Sequence, residues 1–250
     1  MKGIFSLGKD FWHTAATYST LLTLTPSLGP LASILSAAEE TRSDPLLHLW
    51  AEGVLRAASV VQDVGGLENI PAGPCVYVAN HQSHFDAPML FAHLPGHVRF
   101  VAKASLFQIP FFGQALKNTG FVKVDRSGGT HDRQVLAEAV HAVRNRTSLL
   151  FFAEGTRSDD GVLKPFKKGA AVLALQAQVP MVPVAVAGTR SILKKGSALV
   201  HGGRKVVMRV GKPLSTAGLD ESARGELTEK LQDAVKALLD EAEASLQAGR

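Results

Sequence analysis

The sequence predicts an α/β fold: a single domain with a central, largely parallel mixed sheet flanked by helices, preceded by an N-terminal helical segment. Three observations predict it. Short apolar runs such as "CVYVA" and "SLLFFA" alternate with stretches of helical period through the middle of the chain, which is the pattern of βαβ units. The 250 residues suit one large α/β domain with an ample core. Internal repeats and low-complexity segments are absent.

The elements follow in order. Between Asp10 and Glu39 there is no Lys, Arg, Asp or Glu, yet the run is rich in Ser and Thr and carries Pro26, Gly29 and Pro30. Proline inside a helix removes a donor and clashes one turn back. We therefore expect two short helices that lie on a membrane surface or cap the domain. A spanning helix wants about 20 mainly apolar residues, which this run satisfies poorly. A signal peptide would need an overlong h-region broken by proline, and a surface pair without membrane contact is a further alternative.

Residues 46–61 have helical spacing, with Asp44 and Pro45 as start signals. "VGGLENIPAGP" reads as a loop. "CVYVAN", "VRFVAK", "FVKV", "SLLFFA", "MVPVAVAG" and "KVVMRVG" read as strands. Helices are expected over "FDAPMLFAHL", within "ASLFQIPFFGQALKNTG", over 131–146, over 167–177 and over 221–248. The last places Leu227, Leu231, Val235, Leu238 and Leu239 along one face. The expected division is an N-terminal helical, membrane-interfacial segment over 1–61 and a catalytic domain over 62–250.

The net charge is +5 and the isoelectric point about 9.4, which favours anionic partners: phosphates, an acidic carrier protein or an anionic membrane surface. Basic residues are scattered in pairs and aromatics make up 6%. No nucleic-acid module is visible, so nucleic acid is not an expected partner. The single cysteine, Cys75, excludes an internal disulfide. Its apolar setting reads as core.

Residues 78–89, "VANHQSHFDAPM", concentrate hydrogen-bonding groups between apolar flanks. Three readings compete. Ser83 and Asp86 have the S-x-x-[DE] form of a capping box. His81, His84 and Asp86 make a partial metal set, but zinc wants three or four protein ligands and no known spacing completes it. Third, His81 and Asp86 form an acid–base pair. On a straight helix i and i+5 diverge by about 140°, and on a strand they face opposite sides. They meet only if the chain bends between them, as a strand end, a tight turn and a helix start would allow. Imidazole, with an unperturbed pKa of about 6.5, is then available as a base, its tautomer fixed by the carboxylate. In that geometry the capping and catalytic readings of Ser83 are compatible, but Asp86 cannot easily serve cap and imidazole equally.

Other clusters also sit at strand ends. "FAEGTRSDDG" offers Glu154, Gly155, Thr156 and Arg157. Arginine pairs with phosphate in a bidentate manner, although a polar loop with a local Glu–Arg pair reads equally well. "GFVKVDRSGG" brings Arg126. Lys167 and Lys168 open a helix, where cations are disfavoured unless an anion is near.

In their order and spacing, "NHQSHFD", "GFVKVDR", "FAEGTRS" and "VPMVPV" resemble the four sequence blocks of the glycerophospholipid acyltransferase family, over about 75–190. His81 and Asp86 match its H-x4-D pair. Gly120 and Arg126 match its second block, Glu154 to Arg157 its third, and Pro183 its fourth. The chain departs at Ala153, where proline is usual. The resemblance implies a glycerol-3-phosphate acyltransferase-like α/β fold, no metal and no cofactor. It implies transfer of an acyl group from an acyl-CoA or acyl-carrier-protein thioester to a lysophospholipid hydroxyl, most simply that of 1-acylglycerol-3-phosphate. His81 would be the base and Asp86 its partner. Arg126, Arg157 and the Glu154–Thr156 turn would hold the acceptor, with Lys103, Lys167 and Lys168 as further anion contacts and Glu154 orienting Arg157 or the acceptor hydroxyls. Such a protein would work at the cytoplasmic face of the cell membrane. Another lysolipid, such as a lyso-ornithine lipid, is an alternative acceptor. A His–Asp hydrolase and a non-catalytic lipid-binding protein are the competing classes.

Overall fold

The structure, a computed structural model, describes residues 2–124 and 130–248, with side chains over 8–124 and 134–248. Seven strands form one sheet in the order β1-β7-β6-β2-β5-β3-β4. They are β1 (Val61–Gly65), β2 (Val76–Ala79), β3 (Val98–Lys103), β4 (Val122–Val124), β5 (Ser148–Phe152), β6 (Met181–Ala187) and β7 (Lys205–Val210). All neighbours pair in parallel except β6 and β7, which are antiparallel. β2 and β6 are buried along their whole length. That is why they read as unbroken apolar runs rather than alternating ones.

Alternation instead sorts their side chains between two cores. Tyr77 and Ala79 of β2, with Val182, Val184 and Val186 of β6, join one core. Val76, Val78 and Met181 join the other. The first core is covered by α2 (Asp44–Ala57), α3 (Asp86–His93) and α4 (Phe112–Asn118). The second is covered by α5 (Thr130–Arg144), α6 (Gly169–Ala177) and α8 (Arg224–Ala248). A one-turn helix, α7 (Thr189–Ile192), follows β6.

Two expectations need correction. The segment 61–65, read as the end of a helix and the start of a loop, is the edge strand β1, paired with β7. The division expected at 61/62 falls at its first residues. The N-terminal segment is one helix, α1 (Lys2–Ala38), which runs through Pro26 and Pro30 without a break. Within its stretch Gly8–Ala38 an 18-residue window reaches a mean hydropathy of 1.4, so by length and composition the helix could cross a membrane.

Local bonds and packing carry α1 past the prolines. Thr23 and Ser27 hydroxyls donate to the carbonyls of Ser19 (2.9 Å) and Thr23 (2.7 Å), a back-bonding that accommodates helix bending. Trp50 of α2 donates its Nε1–H to Thr25 Oγ1 at 3.1 Å. At Gly29 the helix lies so close to α4 that an added Cβ would stand 3.2 Å from the Ala115 Cβ. Near its other end, Asp10 pairs with His201 at 2.9 Å, and Val200 N–H donates to Thr14 Oγ1 at 2.9 Å. The outward face leaves Phe11, Trp12, Leu22 and Ile34 exposed, with Phe111 exposed beside α4.

Arg99, on β3 and 1% exposed, joins this N-terminal region to the sheet. Its guanidinium pairs with Asp44 at 2.8 Å. It also donates to Ser43 Oγ and to the Val98 and Thr119 carbonyls. Burial lowers its pKa while Asp44 opposes that shift. A buried ion pair is costly to break from one side, because the surviving charge stays unpaired. Arg99→Ala should therefore lower unfolding stability by about 3 kcal/mol, read from urea denaturation.

Candidate active site

The parallel strands β6, β2 and β5 end at one edge of the sheet, the usual place for a site in an open α/β fold. β2 leaves the sheet at Asn80, whose side chain stands in for the ladder it abandons. Asn80 Nδ2 donates to Val186 O (2.9 Å) and Oδ1 accepts Val186 N–H (2.8 Å). The chain then bends through Ser83 and His84 into α3, which begins at Asp86. The bend brings His81 Nδ1 to 2.8 Å from Asp86 Oδ2.

Asp86 is fully buried. Oδ2 also accepts the N–H groups of Gln82 (2.7 Å) and Ser83 (2.8 Å), and Oδ1 accepts the Thr189 hydroxyl (2.5 Å). The expectation that cap and imidazole compete for Asp86 is thus corrected: one oxygen serves the turn and the ring together. The Ser83 hydroxyl donates to Leu193 O (2.8 Å) and accepts Phe85 N–H (3.3 Å), while Asp86 reaches back to Ser83 N–H, so the capping-box pattern is present in the turn ahead of α3.

His81 is clamped as a unit. Its N–H donates to Glu154 Oε1 (2.6 Å) and its carbonyl accepts Ser158 N–H (2.7 Å). Its ring stacks on Phe152 with centroids 3.9 Å apart and planes at 13°. With Nδ1 engaged by a carboxylate, the proton belongs on Nδ1 and the Nε2 lone pair is left for chemistry.

His81 stands on the wall of a cavity of about 480 Å³. Of the residues singled out in the sequence, Lys103, Gly155, Thr156 and Arg157 line the same cavity. The remaining wall is mainly apolar and comes from both α1 and the sheet domain, including Leu28, Ala32, Trp50, Phe100, Leu116 and Phe121. Gly155 has φ +75°, and an added Cβ would lie 2.9 Å from Lys167 Cε, so Lys167 folds over this turn. Arg126 lies outside the described residues.

Glu154 departs from its expected role. It is buried, and its second oxygen accepts Lys164 N–H at 3.0 Å, so both oxygens hold backbone amides rather than Arg157. Burial pushes its carboxyl up, opposed by those two bonds. Cys75 lies in the core, where burial pushes its thiol up to about 11, consistent with a packing role. Among the described residues, no three His, Cys, Asp or Glu side chains converge on a metal-sized site.

Sequence reasoning missed Thr189 and Phe152 as members of the site and weighed His84 only as a metal ligand. His84 lines the cavity, and burial, then the charges of Arg157 and His81, lower its pKa. Its place within residues 78–89, beside His81 and Asp86, was a usable signal. Phe152 opens the FAEGTRSDDG block but reads there as a strand residue, and Thr189 carried no signal, because it meets Asp86 from α7, 103 residues away.

A family model described as Acyltransferase matches residues 62–187. The chain is 38% identical over 176 residues to the 1-acyl-sn-glycerol-3-phosphate acyltransferase BAT2, chloroplastic, of Brassica napus, covering 68% of this chain and 50% of that protein. It is 36% identical over 173 residues to the 1-acyl-sn-glycerol-3-phosphate acyltransferase of Saccharomyces cerevisiae, covering 68% and 57%. It thus spans about half the length of the relatives it matches. The crystal structure of the 1-acyl-sn-glycerophosphate (LPA) acyltransferase PlsC from Thermotoga maritima superposes with a TM-score of 0.79 at 25% identity, covering 98% of this chain and all of that one.

Glu154→Gln turns one acceptor oxygen into a donor facing a backbone N–H. It should cost about 1–3 kcal/mol of unfolding stability, measured by equilibrium denaturation.

Proposed function

This chain belongs to the Acyltransferase family, and from that premise we propose that it moves a fatty acyl group from a thioester to the hydroxyl of 1-acylglycerol-3-phosphate, giving phosphatidic acid. One observation carries the reading. A His–Asp pair opens onto an apolar cavity whose wall also bears Lys103 and Arg157. The apolar wall suits an acyl chain, and the two cations suit a phosphate.

The acceptor hydroxyl hydrogen-bonds to His81 Nε2. As its oxygen bonds to the thioester carbonyl carbon, His81 takes the proton and Asp86 stabilises the imidazolium. The C–S bond then breaks, and the proton passes from His81 to the departing thiolate. No acyl-enzyme is needed. Arg157 and Lys103 anchor the acceptor's phosphate, which fixes its hydroxyl near His81. Arg126 is proposed to join them. The donor is acyl-CoA or an acyl-carrier protein, and the chain is proposed to need no cofactor of its own. The exposed apolar face of α1 suits the cytoplasmic surface of a membrane, where both lipids reside.

The test is thiol release from acyl-CoA and from acyl-carrier protein, with a panel of lysolipids presented in vesicles. Acceptor-dependent release, fastest with 1-acylglycerol-3-phosphate, is expected. Release of free acid without acceptor would identify a hydrolase instead. His81→Ala should lower turnover by about 10²–10⁴-fold with unchanged circular dichroism; near-normal turnover in a folded variant would dispose of the mechanism. Arg157→Ala should raise the acceptor KM about tenfold or more and leave the donor KM alone.

A further inference from the structure

We propose that Thr189 is a positioning residue for the reaction: its hydroxyl fixes the rotation of Asp86, and through Asp86 the imidazole of His81. This inference rests on the acyl-transfer reading and extends it to a residue outside every motif that pointed to the site.

The geometry divides Asp86 into two halves. Oδ2 gathers three donors, all from its own turn: the His81 ring and the Gln82 and Ser83 amides. Oδ1 is met by Thr189 from 103 residues away. Those three donors ride on the same turn as the carboxylate, so they hold it relative to that turn alone. The bond on the other oxygen ties the carboxylate plane to a second element of the fold. Asp86 and Thr189 are both 0% exposed, so bulk water does not reach the bond. The threonine hydroxyl has one proton, and a carboxylate can only accept it. Direction and partner are therefore fixed.

Thr189 is itself held. It starts α7, directly after Gly188. Gly188 has φ +95°, and an added Cβ would lie 2.5 Å from Lys205 O, so glycine is required for the chain to turn there. Its β-branched side chain has few rotamers. Three further bonds tie the flanks of this helix to the catalytic turn, two between Asn80 and Val186 and one from Ser83 to Leu193. Thr189 thus reaches Asp86 from a braced position and can define the carboxylate plane rather than follow it.

The experiment compares Thr189→Val, which keeps shape and loses the hydroxyl, with Thr189→Ser, which keeps the hydroxyl, in the full chain. Thr189→Val should lower kcat about 10- to 100-fold with both KM values within about twofold. In substrate-free protein it should shift or erase the downfield proton NMR resonance of His81 Nδ1–H. Thr189→Ser should retain the wild-type kcat and the resonance. A folded Val variant with normal kcat and an unmoved resonance overturns the proposal. So does a Ser variant that loses kcat, because the hydroxyl would then not be what matters, and this arm stands even where the Val variant fails to fold. The resonance is read without substrate. A wild-type protein inactive toward every lysolipid would refute the acyl-transfer reading, while the resonance still reports on Thr189.

Discussion

A carboxylate taken fully out of water must find donors for both oxygens, and Asp86 finds four. An uncompensated charge at that depth would be expensive. The turn after β2, the start of α3 and the loop after β6 are shaped so that none of that cost remains. The imidazole is one of the four donors. Its orientation is thus a by-product of solving a burial problem that the fold must solve whatever the protein does. This explains how a reactive group is held without rigid covalent support. Moving His81 would require unsatisfying Asp86, and unsatisfying Asp86 would loosen three strand ends together.

Glu154 repeats the device one strand away. It too is a buried acid whose oxygens meet backbone N–H groups, here of His81 and Lys164. The two acids differ in what they leave behind. Asp86 presents a ring to the cavity. Glu154 presents nothing, and organises the turn from which Gly155, Thr156 and Arg157 reach the cavity. The acidic residues thus face inward to the scaffold, while the cations Lys103 and Arg157 face the space a ligand would fill. Such a separation of sign is what an anionic substrate requires.

Much of this was legible in the sequence because it is local. Strand and helix alternation follows from periodicity, and β2 to β7 appear where the apolar runs stand. The bend between His81 and Asp86 followed from the five-residue spacing, since neither helix nor strand lets those positions meet. What escaped was long-range. Glu154 meets His81 across 73 residues, and Thr189 meets Asp86 across 103; no spacing rule links them. Edge strand β1 was hidden because its partner β7 lies near the other end of the chain. The prolines of α1 misled for a related reason. Their local penalty is real, but packing on α2 and α4 outweighs it, and that packing is written in Gly29, Ala115 and Trp50 rather than in the helix alone.

That α1 is apolar on both its outward and its inward side has a practical corollary. Its outer side chains look like an ornament that could be trimmed to make the protein easier to handle. Its inner ones, Leu28, Gly29 and Ala32, are a ceiling. Cutting the chain back to the sheet would leave Phe100, Leu116 and Phe121 open to the sky, and the groove beneath would lose the depth that separates a greasy tail from its charged end.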